Sequence, residues 1–220
     1  MSIRVLVADD EAMIRAGIRS ILTTDPAIEV VAEAADGREA VDSALAHRPG
    51  VVLMDVRMPR LDGLSAAAEL RGAAPEIAVV VLTTFDEDDY VGAALDAGAA
   101  GFLLKAADPR ELIFGVHAVA GGGAYLSPRI AKKVIAQRDG GVFTRAASAR
   151  TQIAELTVRE LAVLARIGHG LSNRDIAVEL FIAEATVKAH VSAILRRLDL
   201  KNRVQAAILA HEAGLTAPEP

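Results

Sequence analysis

At 220 residues the chain is long enough for one large domain or two small ones with real cores. Apolar residues make up 52% and charged residues 24%, which excludes a disordered chain. The net charge of −5 argues against an evenly spread nucleic-acid surface, and the lack of cysteine excludes disulfides and thiolate metal sites.

No apolar stretch approaches the roughly 20 residues that a membrane span needs. The N-terminus, MSIRVLVADDE, turns acidic too early for a signal peptide. The expectation is a cytoplasmic protein in a reducing compartment.

Ile3–Ala8 is an apolar run ending in Asp9-Asp10-Glu11. A helix follows, with Ile14, Gly17, Ile18, Ile21 and Leu22 on one face. Ile28–Ala32 reads as a second strand. After Asp36-Gly37, Ala40, Val41, Ala44 and Leu45 form the apolar stripe of the next helix. Pro49-Gly50 breaks the chain before Val51–Asp55, where four apolar residues run into one carboxylate. That run is too short for a free-standing helix and fits a strand buried on both faces. An Ala-rich helix to about Arg71, a strand Ile77–Leu82 ending in Thr83-Thr84, and a helix from about Asp88 to Asp96 come next. Gly101–Leu104 is a fifth strand ending in Lys105. Asp108-Pro109 caps a helix through Ala120. Strands and helices alternate as (βα)5, which predicts an open parallel sheet with helices on both faces.

Four strands thus end in polar groups: Asp9-Asp10, Asp55, Thr83-Thr84 and Lys105. In such a sheet, ligands bind beyond the strands' carboxyl ends. Each residue alone reads as a helix cap or loop residue. Together, three carboxylates repel one another unless a cation lies among them. Oxygen ligands without Cys or His suit Mg²⁺. A lysine and a hydroxyl beside them can bind phosphoryl oxygens, and an aspartate is a known type of phosphoryl acceptor. The acidic run Asp86–Asp89 reads as a solvated helix N-terminus.

Residues 1–120 resemble the receiver domain of bacterial two-component response regulators through VADDE, LMDVRMPRLDG, VVLTTF and GFLLKA. The resemblance implies a flavodoxin-like fold, with Asp55 as phospho-acceptor for a sensor histidine kinase. Mg²⁺ would be bound by Asp9, Asp10, Asp55 and the Arg57 carbonyl. Thr83 and Lys105 would hold the phosphoryl group, and Phe102 would be the aromatic that turns inward as Thr83 moves.

After Gly121-Gly122-Gly123, Ser127-Pro128 opens one further helix to about Arg138, and the stretch from Asp139 to Arg150 reads as a flexible linker. Four helical segments follow. Three open with capping-box spacing: Thr157/Glu160, Ser172/Asp175 and Asn202/Gln205. Residues 186–203 hold Lys188, Arg196, Arg197, Lys201 and Arg203 against Asp199 alone, a basic patch in an acidic chain. Val187, Val191, Ile194, Leu195 and Leu198 define a buried stripe. Opposite lie Ala185, Ala189, Ser192, Ala193 and Arg196, a small uncharged face bordered by cations, as a helix entering the major groove needs. Thr186, Arg197, Lys201 and Arg203 are placed for phosphates. Between two glycines, His169 reads as a helix C-cap, and His190 as a flank residue.

Leu156–Ala210 resembles the LuxR-type helix-turn-helix module, and together the two modules resemble the NarL/FixJ family of response regulators over nearly the whole chain. The resemblance places Lys188, Ala189 and Ser192 at base-facing positions. Ala183 departs from the family's usual Ser cap, a loss of roughly 0.5–2 kcal/mol that Glu184 partly offsets through the helix dipole. The expected organisation is a receiver at 1–121, a linker helix and flexible linker at 122–150, and a four-helix DNA-binding module at 151–216. The function implied is a phosphorylation-switched transcription regulator, dimeric when phosphorylated, and not an enzyme. A phosphatase of the haloacid-dehalogenase type would carry Asp-x-Asp after the strand, where Arg57 stands instead. A flavin-binding reading fails on the acids Asp9-Asp10-Glu11 in the first loop. A regulator that never uses phosphate is opposed by the intact acidic set.

Overall fold

The computed structural model describes residues 2–83, 90–106, 108–127, 130 and 142–216. The chain divides into two compact units, residues 1–120 with 125–131, and residues 121–124 with 132–220. Among the described residues, no helix is long and apolar enough to cross a membrane.

The first unit alternates strands and helices: β1 (Ile3–Ala8), α1 (Ala12–Leu22), β2 (Ile28–Ala34), α2 (Gly37–His47), β3 (Val51–Asp55), α3 (Gly63–Ala73), β4 (Ala78–Thr83), α4 (Tyr90–Ala97), β5 (Gly101–Leu104) and α5 (Pro109–Ala120). The sheet is parallel in the order β2-β1-β3-β4-β5-β6. The sixth strand, β6 (Tyr125–Leu126), adds to the expected five. Its two residues carry no alternation for a sequence pattern to show. It forms because Gly101 and Phe102 offer an open edge.

Every residue of β3 is buried. Its alternate residues serve two cores. Val52 and Met54 pack with Ala40, Val41, Ala66 and Leu70, while Val51 and Leu53 pack with Ile18, Leu112 and Val116. Each such side chain contributes roughly 1.5–3 kcal/mol when taken from water. Two glycines let the backbone close around the end of β3. A Cβ on Gly63 would strike the Asp55 carbonyl oxygen, and one on Gly37 would strike that of Leu61. The Gly63 N–H donates to the Val56 carbonyl at 2.8 Å, and Asp62 caps α3 by accepting from the Ser65 N–H. The expected helix start at Asp88 and the acidic run 86–89 lie outside the described residues.

The second unit is helical: α6 (Val142–Ile153), α7 (Val158–Gly168), α8 (Asn173–Leu180), α9 (Glu184–Arg197) and α10 (Arg203–Glu212). Thr157/Glu160 and Ser172/Asp175 form reciprocal capping boxes. The Asn202 side chain caps α10 by accepting from the Gln205 N–H. His169 is the C-cap of α7, followed by Gly170 at φ +79° and an N–H from Leu171 to the Arg166 carbonyl. One expectation fails. The flexible linker was to reach Arg150, but Val142–Ile153 is a helix, with Ala149 and Ile153 buried in the second core. Its polar Thr, Ser and Arg hid this apolar pair one turn apart. The further helix expected to about Arg138 and the start of the linker lie outside the described residues, apart from Ser127 and Ile130.

Candidate functional site

The parallel register brings the strand ends to one edge. Ala8 faces Met54, Asp55 faces Leu82, and Thr83 faces Leu104. Asp9, Asp10, Asp55, Thr83 and Lys105 therefore follow one another along that edge. Carboxylate oxygens of Asp9, Asp10 and Asp55 all lie within 4.8 Å of one another. Asp9 and Asp55 are buried and Asp10 is exposed. Lys105 Nζ lies 2.8 Å from Asp9 Oδ2 and 2.9 Å from Asp55 Oδ1. The Lys105 N–H donates to the Thr83 carbonyl at 2.8 Å, which ties the ends of β5 and β4 together.

Burial pushes the Asp55 carboxyl up to about 6; the hydrogen bond and charge of Lys105 pull against this, and Asp9 adds to it. Burial alone would lower the Lys105 ammonium, but its contacts with Asp55 and Asp9 outweigh that and raise it. The buried Asp9 Oδ2 has this ammonium beside it and no aligned hydrogen bond. An under-satisfied buried carboxylate oxygen, with two more carboxylates in reach, fits a hard divalent cation. Arg15 is a support that the sequence pattern did not reveal. Its Nη1 donates to the Asp9 carbonyl at 2.6 Å, and its Nε lies 3.6 Å from Glu33. No local spacing points to it, because its partners Asp9 and Glu33 lie six and eighteen residues away along the chain.

Arg57 sits in the β3–α3 loop with an exposed side chain, and Phe102, in β5, is buried. Thr84 lies outside the described residues.

In the second unit, α9 buries Val187 and Ile194, with Val191, Leu195 and Leu198 packed partly against the same core. Ala185, Thr186, Lys188, Ala189, Ser192 and Arg196 are exposed. Ala183 provides no side-chain cap. Lys188 pairs with Glu184 at 2.9 Å, and Lys201 lies 3.6 Å from Asp199. Arg197 is half engaged inside the unit: its Nη1 donates to Glu160 at 2.9 Å and to the Glu155 carbonyl at 3.2 Å. Hydrogen bonds from Thr157, then the Arg197 charge, hold Glu160 below its usual range. Arg203 does not face phosphates as the sequence suggested. It is 7% exposed and donates to Asn173 Oδ1 at 2.8 Å and to the Leu171 carbonyl. Burial lowers it to about 10. The basic run thus contains two residues, Arg197 and Arg203, that also bind helices together, a role that charge counting cannot separate from surface charge.

Residues 5–117 match the response regulator receiver domain, and residues 154–210 match the bacterial regulatory proteins of the luxR family. The transcriptional regulatory protein YxjL of Bacillus subtilis (strain 168) is 40% identical over 217 residues, 97% of each chain. The transcriptional regulatory protein DegU of Brevibacillus brevis is 37% identical over 222 residues, 96% of this chain and 94% of that one. Among solved structures, the response regulator ChrA of a heme-sensing two-component system is 36% identical, with a TM-score of 0.54 over 97% of this chain and 98% of that one. The receiver domain of a response regulator NarL from Mycobacterium tuberculosis is 39% identical, with a TM-score of 0.53 over 55% of this chain and 98% of that one. With both modules matched in this order and the likeness running nearly end to end, the chain belongs to the LuxR-type (NarL/FixJ) family of two-component response regulators, transcription regulators in which a receiver domain is joined to a DNA-binding helix-turn-helix.

Proposed function

We propose that Asp55 is the phospho-acceptor of this regulator and that α9 is its DNA-reading helix. The observation that carries the first half is the convergence of Asp9, Asp10 and Asp55 on one edge, with Lys105 bridging two of them. A histidine kinase donates the phosphoryl group: its phosphorus–nitrogen bond breaks, an Asp55 oxygen bonds to phosphorus, and the imidazole recovers a proton. Mg²⁺ suits the donors Asp9, Asp10, Asp55 and the Arg57 carbonyl, and when bound it offsets charge on the transferring group. Lys105 pairs with the new anion and Thr83 donates its hydroxyl to it. The added charge of about −1.5 to −2 redraws the contacts of Lys105, and Phe102, buried in β5 two residues before the Leu104 that pairs with Thr83, follows that movement.

In the second module, Lys188, Ala189 and Ser192 face base edges, and Thr186, Arg196, Arg197 and Lys201 face phosphates. The exposed small face of α9 supports this, and the internal bonds of Arg197 make it the least free of the set. Residues 1–121 act as receiver and 151–216 as DNA-binding module, with α6 built into the second. Phosphorylation favours a homodimer on two-fold DNA sites. The protein is a cytoplasmic regulator and not an enzyme.

Acetyl phosphate with Mg²⁺ is expected to label the wild-type chain at one aspartate and to leave Asp55→Asn unlabelled, read by intact mass. Equal labelling of the variant would overturn the assignment. Selection of bound genomic fragments with the phosphorylated chain would then give the operator.

A further inference from the structure

Lys188 is the cation of α9 proposed to meet base edges, and it already has a partner. Its Nζ lies 2.9 Å from Glu184 Oε1, one turn toward the helix N-terminus. Both side chains are exposed, so the pair stands beside the small face of Ala185, Ala189 and Ser192. Glu184 also opens a helix whose N-cap, Ala183, accepts no N–H through its side chain. A carboxylate there is favoured by the helix dipole.

We infer that Glu184 is an intramolecular competitor for Lys188 that lowers the chain's sequence-independent affinity for duplex DNA. The inference rests on α9 being the DNA-facing helix. A lysine ammonium is a compact point charge. A phosphate must take it from Glu184, and the displaced carboxylate then remains within one turn of the phosphate that replaced it. At an arbitrary phosphate the exchange returns one charge contact for another. At a guanine edge it returns directed hydrogen bonds to O6 and N7 as well. Glu184 therefore penalises arbitrary sequence more than operator, as a built-in repulsive element does in other discriminating surfaces.

The test is a double-mutant cycle on the full chain, with a random-sequence duplex as probe and a salt series for each variant. Glu184→Gln is expected to tighten binding about twofold at low salt, the strength of an exposed pair at this spacing. It should also steepen the salt slope by roughly one. Lys188→Ala is expected to weaken binding, and in that background Glu184→Gln should change nothing. A loss of helix in the Gln variant would weaken binding, the opposite sign, and circular dichroism would reveal it. Equal tightening in both backgrounds would reduce Glu184 to a diffuse charge and overturn the inference. If Lys188→Ala weakens binding but Glu184→Gln does not tighten it, the competition fails and α9 keeps its role. If Lys188→Ala has no effect, α9 itself is misassigned.

Discussion

Two lysines show how differently the two units use charge. Lys105 has a side chain 12% exposed and sits within 2.9 Å of two carboxylates that are themselves buried. Lys188 has a side chain 58% exposed and faces a single exposed carboxylate on its own helix. Low local dielectric makes the first contact strong and the loss of either partner costly. Solvent and salt make the second weak and exchangeable. If Asp55 takes the phosphoryl group, as proposed, the first arrangement suits a response to one added anion. If α9 meets DNA, as proposed, the second suits a search for one sequence among many.

The largest effect expected from this contrast is at Lys105. Lys105→Ala leaves Asp9 and Asp55 buried without their cation, at a cost of about 3 kcal/mol to the receiver unit in chelator. Lys188→Ala should cost its unit less than about 0.5 kcal/mol. Urea unfolding of both variants measures this directly. Equal losses would mean that water screens the receiver carboxylates as freely as it screens α9.

Salt separates the units next. If the three cations Arg196, Arg197 and Lys201 meet phosphates, DNA affinity falls roughly fortyfold between about 50 and about 200 mM salt. Labelling of Asp55 by acetyl phosphate over the same range should change little, since buried charges are poorly screened. Fluorescence anisotropy with a labelled duplex, run beside the labelling assay, tests both. A flat DNA curve would remove the phosphate contacts from α9.

Much of this contrast was legible in the residues. Val51–Asp55 announced a strand buried on both faces, and its neighbours placed Asp55 at the sheet edge. The capping spacings of Thr157, Ser172 and Asn202 marked three helix starts that the structure retains. What stayed hidden depended on partners distant in sequence. The strand-end pattern placed Lys105 near the acids, but not its direct ion pair with Asp9, nearly the whole receiver unit away in sequence. Arg203 looked like one more surface cation until Asn173 and Leu171 enclosed it. The helix Val142–Ile153 was masked by polar composition, since only Ala149 and Ile153 reach the core among its described side chains.

A third test uses pH and metal together. The folded Asp55 carboxyl titrates at about 6, above its ordinary value of 3.8. Between those values the folded state holds more protons than the unfolded one, so this group makes stability fall as pH rises through that window. A cation among the acids reverses the cost and competes with the proton on Asp55. Mg²⁺ at about ten times its Kd should therefore stabilise the receiver unit by roughly 1–2 kcal/mol above about pH 7 and by less near about pH 5. Calorimetry with and without Mg²⁺ at the two pH values reads the difference. A larger gain at the lower pH would place the metal away from Asp55.

The smallest expected effect lies at the start of α9. Asp36 and Asp62 cap α2 and α3 in the receiver, and Thr157, Ser172 and Asn202 cap α7, α8 and α10. Among the helices of the second unit whose starts are described, α9 lacks such a cap, because Ala183 has no acceptor to offer its first N–H groups. Its backbone is already in the extended conformation of a cap, at φ −68° and ψ 144°. A serine there needs no rearrangement to bond back. Ala183→Ser should therefore stabilise the second unit by about 0.5–1 kcal/mol and leave the receiver unit unchanged. Chemical denaturation of the full chain, followed by probes in each unit, separates the two responses. A gain in the second unit alone locates the missing cap as a local weakness at the end of the helix proposed to meet DNA. No gain would mean that Glu184, through the helix dipole, already supplies most of what a hydroxyl would add.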